Sequence, residues 1–157
     1  MIFTSIELFP FFQLLIAACF GMILGIERVL AGRTAGPRTY GLVSLGACLL
    51  TILSLSASEL YRYESKADPV SIVAAIVTGI GFLGAGLIIF KGSKLSGLTT
   101  AAGIWVSAAI GIAVGFGFLV LALFTTMMTL FIFTVMWKLE AKIKSKFGHK
   151  TPHHHKK

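Results

Sequence analysis

From Leu95 to Trp137 this chain runs 43 residues without one charged side chain, and no other feature restricts its fold so much. As a single helix the run would be about 65 Å long at 1.5 Å per residue. The hydrocarbon core of a bilayer is only about 30 Å thick, so one crossing cannot use that length, even tilted. A break at Gly115-Phe116-Gly117 divides the run into two spans, 98–114 and 118–137. Three further apolar stretches precede it, 8–26, 40–60 and 70–90. The chain is 13% charged, against about 25% in a soluble domain. Glu7 is the only charge before Glu27, so the start has no basic region of a signal peptide and the first stretch is expected to stay as a span. The reading is all-α: a polytopic membrane helix bundle of five transmembrane helices over residues 1–137, then a basic tail, 138–157.

The basic residues give an orientation. With five spans, the 27–38 loop (Arg28, Arg33, Arg38), the 91–97 loop (Lys91, Lys94) and the seven-lysine tail share one side. That side holds 12 of the 14 basic residues, leaving Arg62 and Lys66 opposite. Lys and Arg gather on the cytoplasmic side, so the N-terminus is expected outside and the C-terminus in the cytoplasm. Asp68-Pro69 predicts an N-cap and a first helical residue for the third span, and Ser96 is the candidate cap of the fourth. In the tail, Leu139, Ile143 and Phe147 share one helical face and Lys138, Lys142 and Lys146 another. That pattern suits a short interfacial helix on an anionic leaflet; His153 to His155 read as solvated.

Gly79-Ile80-Gly81-Phe82-Leu83-Gly84 has the spacing of a dinucleotide-binding turn. Such a turn needs a strand before it, an amphipathic helix after it and an acidic residue about 20 positions on. Here both flanks are apolar or small and the next acidic residue is Glu140, so neither nucleotide nor nucleic acid is expected. In lipid, small residues let helices approach closely. Gly103, Ser107, Gly111 and Gly115 recur every four residues on one face of the fourth span, and Gly21 and Gly25 do so in the first. In the third, Ala75 and Gly79, Gly81 and Ala85, with Gly84 and Gly86, thin the helix around much of its girth, which predicts a central helix. A sharper reading stays open: Gly79, Gly81, Gly84 and Gly86 unwind the span and offer carbonyls to a cation, as in discontinuous transporter helices. Stripes of this kind suit packing within one bundle or a homodimer.

No carboxylate lies at mid-membrane between Val70 and Trp137, which weighs against a proton-coupled carrier and a carboxylate cage for Mg²⁺. No nucleophile–base pair, metal spacing or cofactor motif occurs, so neither an enzyme nor a bound cofactor or metal is expected. Cys19 and Cys48 read as small packing residues. The functional patch is placed in residues 25–41: Glu27 and Arg28 at the end of the first span, Arg33 in the loop, Arg38 and Thr39 opening the second. Arginines at a membrane surface grip lipid phosphates or a partner's carboxylates. Plain positive-inside anchoring is the simpler alternative, but Gly32, Gly36 and Pro37 favour a shaped loop. On the outer side Glu59, Glu64 and Asp68 are candidate cation contacts, with a solvated loop the commoner outcome.

Three stretches in order carry a family resemblance. They are Gly25-Ile-Glu27-Arg28 continued by Ala35-Gly-Pro-Arg38-Thr39, then Asp68-Pro69 followed by Gly79-Ile-Gly-Phe-Leu-Gly-Ala-Gly86, then Gly97-Leu-Thr-Thr-Ala-Ala-Gly-Ile-Trp-Val-Ser-Ala-Ala-Ile-Gly111. Together they resemble the MgtC/SapB family of bacterial inner-membrane proteins over roughly residues 8–120. Pro37 replaces a usual leucine, Tyr40 a frequent histidine, and Ser71 and Ala75 replace polar residues that many members carry. The chain looks like a short form without the soluble C-terminal domain of longer members. The resemblance implies a role in low-magnesium, acid or intracellular stress, regulatory in kind, with the ATP synthase a partner of some members. The expectation is a small membrane regulator acting through protein or lipid contacts at its arginine loop. The rival is a transporter or channel for Mg²⁺ or another cation, using the third span.

Overall fold

In lipid every backbone N–H and C=O must find its partner inside the segment, so each apolar stretch folds as one helix. The computed structural model describes residues 8–60, 69–139 and 142–143. Its helices are α1 (Leu8–Leu30), α2 (Pro37–Leu60), α3 (Pro69–Leu87), α4 (Leu98–Gly115) and α5 (Leu119–Phe131). The last continues through a π-helical stretch, Ile132–Met136. All five are long and apolar enough to cross a membrane, α5 as Leu119–Leu139. Between α3 and α4 a small antiparallel hairpin pairs β1 (Ile89–Lys91) with β2 (Lys94–Ser96). Large hydrophobics such as Phe11, Leu53, Phe82 and Val120 point outward, a surface suited to lipid.

Two helices end in the same way. After α1, Gly32 takes φ 69°, its N–H bonds Val29 O, and the Arg33 N–H reaches back to Arg28 O at 2.8 Å. After α4, Gly117 takes φ 83°, its N–H bonds Val114 O, and the Phe118 N–H bonds Ala113 O. This paired closure needs a left-handed residue, which glycine adopts without strain. The break expected in the charge-free run is therefore a turn at Gly117. At the start of α3, Pro69 is the first helical residue, while Asp68 lies outside the described residues. Ser96 does not cap α4. It belongs to β2, and the N-cap is Gly97 with no side-chain hydrogen bond.

The centre of the bundle is α4, not α3. Ten residues of α4 are buried, and it packs on α1, α2, α3 and α5. A side chain at Gly103 would strike the Tyr40 hydroxyl and Phe133, one at Gly111 the backbone oxygen of Ser44, and one at Gly115 Thr51 and Cys48 O. Ser107 Oγ donates to Tyr40 O at 2.9 Å. Gly21 and Gly25 likewise close onto the backbone of Tyr40 and of Pro37. These small residues stack α1, α2 and α4 at backbone distance. By contrast, a Cβ at Gly79, Gly81 or Gly86 meets nothing within 4 Å, and at Gly84 only Ala101 Cβ, at 3.7 Å. The expected central third helix is thus peripheral, held through Ile76 against Ala47 and Ala108. Its small residues surround the helix instead of marking one stripe, so they commit no single face to a neighbour. Nor is α3 unwound: it is continuous to Leu87, because in lipid no water takes up freed backbone groups. It stops at Leu87, short of residue 90, because β1 begins at Ile89.

A buried amide joins the far ends of α1 and α4. Gln13 Nε2 donates to Val114 O at 2.6 Å and to Gly115 O at 3.1 Å. Those are carbonyls of the last turn of α4, where the intrahelical ladder ends, and Val114 O also accepts from the Gly117 N–H. Gln13→Leu is expected to lower stability by about 1–2 kcal/mol, read as earlier thermal unfolding in detergent. An unchanged transition would show that these bonds contribute nothing.

Candidate functional site

At the opposite end of α1 lies a buried cation. Arg28 is 2% exposed. Its Nε and Nη2 both donate to Glu27 Oε2, and its Cζ sits 3.5 Å from the centroid of the Phe133 ring. Neighbouring helical residues do not face each other, so this pair forms only because both side chains fold toward one spot. A guanidinium stacked on an aromatic face and removed from water gains roughly 2 kcal/mol. Arg28 is also in the last turn of α1, where a cation complements the helix dipole. The ring comes from the π-helical stretch of α5. Turns of that kind are rare and concentrate at functional sites.

Tyr40 forms the other half of the centre. It is fully buried, and its hydroxyl donates to Thr100 O at 3.3 Å. Gly103 leaves the room that its hydroxyl fills. Tyr40 O accepts from Ser107, which occupies the carbonyl that Ser44 would use for a bond back along its own helix. Ser44 Oγ is accordingly left without a partner among the described residues. Thr51, Thr126 and Thr129, lacking such competition, each donate to the carbonyl four residues back.

The sequence-expected patch divides into two layers. Arg28 is buried and Glu27 partly buried beside it; Arg33, Arg38 and Thr39 are exposed. The bond from the Arg33 N–H to Arg28 O ties the exposed layer to the buried one. Neither Arg33 nor Arg38 has a carboxylate partner among the described residues. A groove of about 490 Å³ opens beside the pair, with Arg28, Arg33, Thr99, Ala102 and Phe133 in its lining. On the other side, Glu59 stands exposed near the end of α2, and Glu64 and Asp68 lie outside the described residues. Among the described residues no three His, Cys, Asp or Glu side chains gather.

Phe133 and Gln13 are the residues that reading the sequence missed. Gln13 carried a signal: it is a lone polar residue in phase with Ala17 and Gly21, which are both buried. Phe133 carried none, being one apolar residue among many.

A protein of Haemophilus influenzae without assigned function is 42% identical over 133 residues, 82% of this chain and 56% of that protein. The putative magnesium transporter YhiD of Escherichia coli is 39% identical over 139 residues, 87% of this chain and 65% of YhiD. Protein MgtC of Salmonella typhimurium is 42% identical over 111 residues, 70% of this chain and 45% of MgtC. The chain thus spans about half to two thirds of these relatives. No solved structure matches it. The MgtC family model matches residues 14–142, from Leu14 in α1 past the end of α5. That span includes Glu27, Arg28, Tyr40 and Phe133, and this five-helix membrane protein belongs to the MgtC family.

Proposed function

We propose that the protein is a non-enzymatic regulator of adaptation to low magnesium, acid or intracellular stress in the bacterial inner membrane, acting by contact with a partner at its arginine face. The N-terminus is outside and the C-terminus cytoplasmic, following the basic residues. The observation that carries the reading is buried Arg28, held by Glu27 and Phe133, next to a tied loop whose exposed Arg33 and Arg38 have no carboxylate partner among the described residues. A buried ionisable group near a membrane span ordinarily marks a functional site. Beside it the turn at Gly32 and the bond from the Arg33 N–H to Arg28 O hold the loop backbone, and the guanidinium groups of Arg33 and Arg38 stand exposed for a partner. A membrane protein offering carboxylates is the fitting partner, and the family resemblance suggests the ATP synthase.

Arg38→Ala removes an exposed cation without touching the buried pair. It is expected to abolish growth under magnesium limitation while expression, insertion and thermal stability stay normal. Growth like that of the unmodified protein would sink the partner-surface reading.

The name of the Escherichia coli relative supports a second reading, transport of Mg²⁺. In this chain it would have to use α3, which is continuous and places Gly79, Gly81 and Gly86 on open surface.

A further inference from the structure

The groove beside Arg28 has a composition that the partner reading does not use. Its floor is Arg28 on Phe133, its rim is Arg33, and Val106, Ile132 and Met136 give it apolar walls. Its volume of about 490 Å³ falls within the range of small-molecule sites. Leu98, Thr99, Ala102, Ile132 and Met136 are exposed, so the groove opens sideways, on the surface that faces lipid. At its charged end, α4 starts without a side-chain cap, and its first N–H groups add their partial positive charge. Glu27 offsets Arg28, but among the described residues nothing offsets Arg33.

We propose that this groove holds an anionic phospholipid, with the phosphate between Arg33, Arg28 and the first turn of α4 and one acyl chain along Val106, Ile132 and Met136. A soluble phosphate could use the charged end alone. The apolar walls and the sideways opening favour a molecule delivered from the bilayer, and the unmatched charge of Arg33 selects an anionic head over a zwitterionic one. The proposal shares Arg28 and Arg33 with the partner reading but not Arg38, which is outside the groove.

Native mass spectrometry of the full chain, released from micelles supplied with phosphatidylglycerol, phosphatidylcholine or inorganic phosphate, tests it. One phosphatidylglycerol per chain is expected to be retained about fivefold over phosphatidylcholine. Arg33→Gln and Ala102→Phe, the second filling the groove without changing charge, should each remove that preference, while Arg38→Gln keeps it. Equal retention of the two lipids overturns the proposal, as does a preference that survives both groove variants. An equal loss in Arg38→Gln also overturns it, because diffuse surface charge then explains the binding. Displacement of the lipid by millimolar inorganic phosphate assigns the site to a soluble anion and likewise ends the lipid proposal. Because Arg38→Ala reports on the partner surface alone, lipid selectivity and stress tolerance fail separately.

Discussion

Glu27→Ala is expected to destabilise the bundle by about 3–5 kcal/mol, toward the lower end because Glu27 keeps 17% exposure. The penalty comes less from the lost attraction than from what remains. Arg28 is buried with one carboxylate and one aromatic face as its partners, and removing the carboxylate strands the charge. Replacing both members by apolar residues removes the charge together with its counter-ion, which is often neutral for stability. The double variant Glu27→Ala/Arg28→Met should therefore recover most of the thermal stability in detergent. Stability in Glu27→Ala equal to that of the unmodified protein would mean that Arg28 is solvated or otherwise paired, and the two-layer description of the site would fail.

A glycine pair gives the second large effect. Gly111→Leu should prevent recovery of monodisperse protein, whereas Gly81→Leu should be tolerated. At Gly111 even a Cβ collides with the backbone of Ser44, and a carbonyl in a helix cannot rotate away as a side chain can. Extra methylenes in a packed interior typically cost 1–3 kcal/mol. A whole leucine between two helices at backbone contact is expected to exceed about 3 kcal/mol, since α2 would have to separate from α4. Gly81 meets nothing within 4 Å, and leucine there relieves most of the roughly 1 kcal/mol helix penalty of glycine. Size-exclusion chromatography of the two variants checks both halves. A monodisperse Gly111→Leu protein, or an aggregated Gly81→Leu protein, would contradict the placement of α4 at the centre and α3 at the edge.

That contrast also shows what could be read from the residues. The turn at Gly117 was legible because length alone demands a break in a charge-free run of 43 residues. The α4 stripe was legible because a four-residue spacing puts every small residue on one face. In α3 the small residues lie on several faces, and composition cannot say whether a helix or lipid fills the space beside a glycine. The arginine loop was legible in outline only. Residue type does not separate buried Arg28 from exposed Arg33 and Arg38, though helical phase does: Arg28 lies three, four and seven positions after Gly25, Leu24 and Gly21, all buried. The stacking of Phe133 on Arg28 depends on a π-helical stretch in α5, a local rewinding that no periodic pattern anticipates.

Mg²⁺ flux tests most directly whether the protein acts by contact or by conduction. Proteoliposomes holding the monodisperse full chain, with Gly81→Leu in parallel, should show no Mg²⁺ entry above protein-free vesicles. Entry that Gly81→Leu abolishes would place a permeation path along α3 and contradict the reading of this protein as a contact regulator.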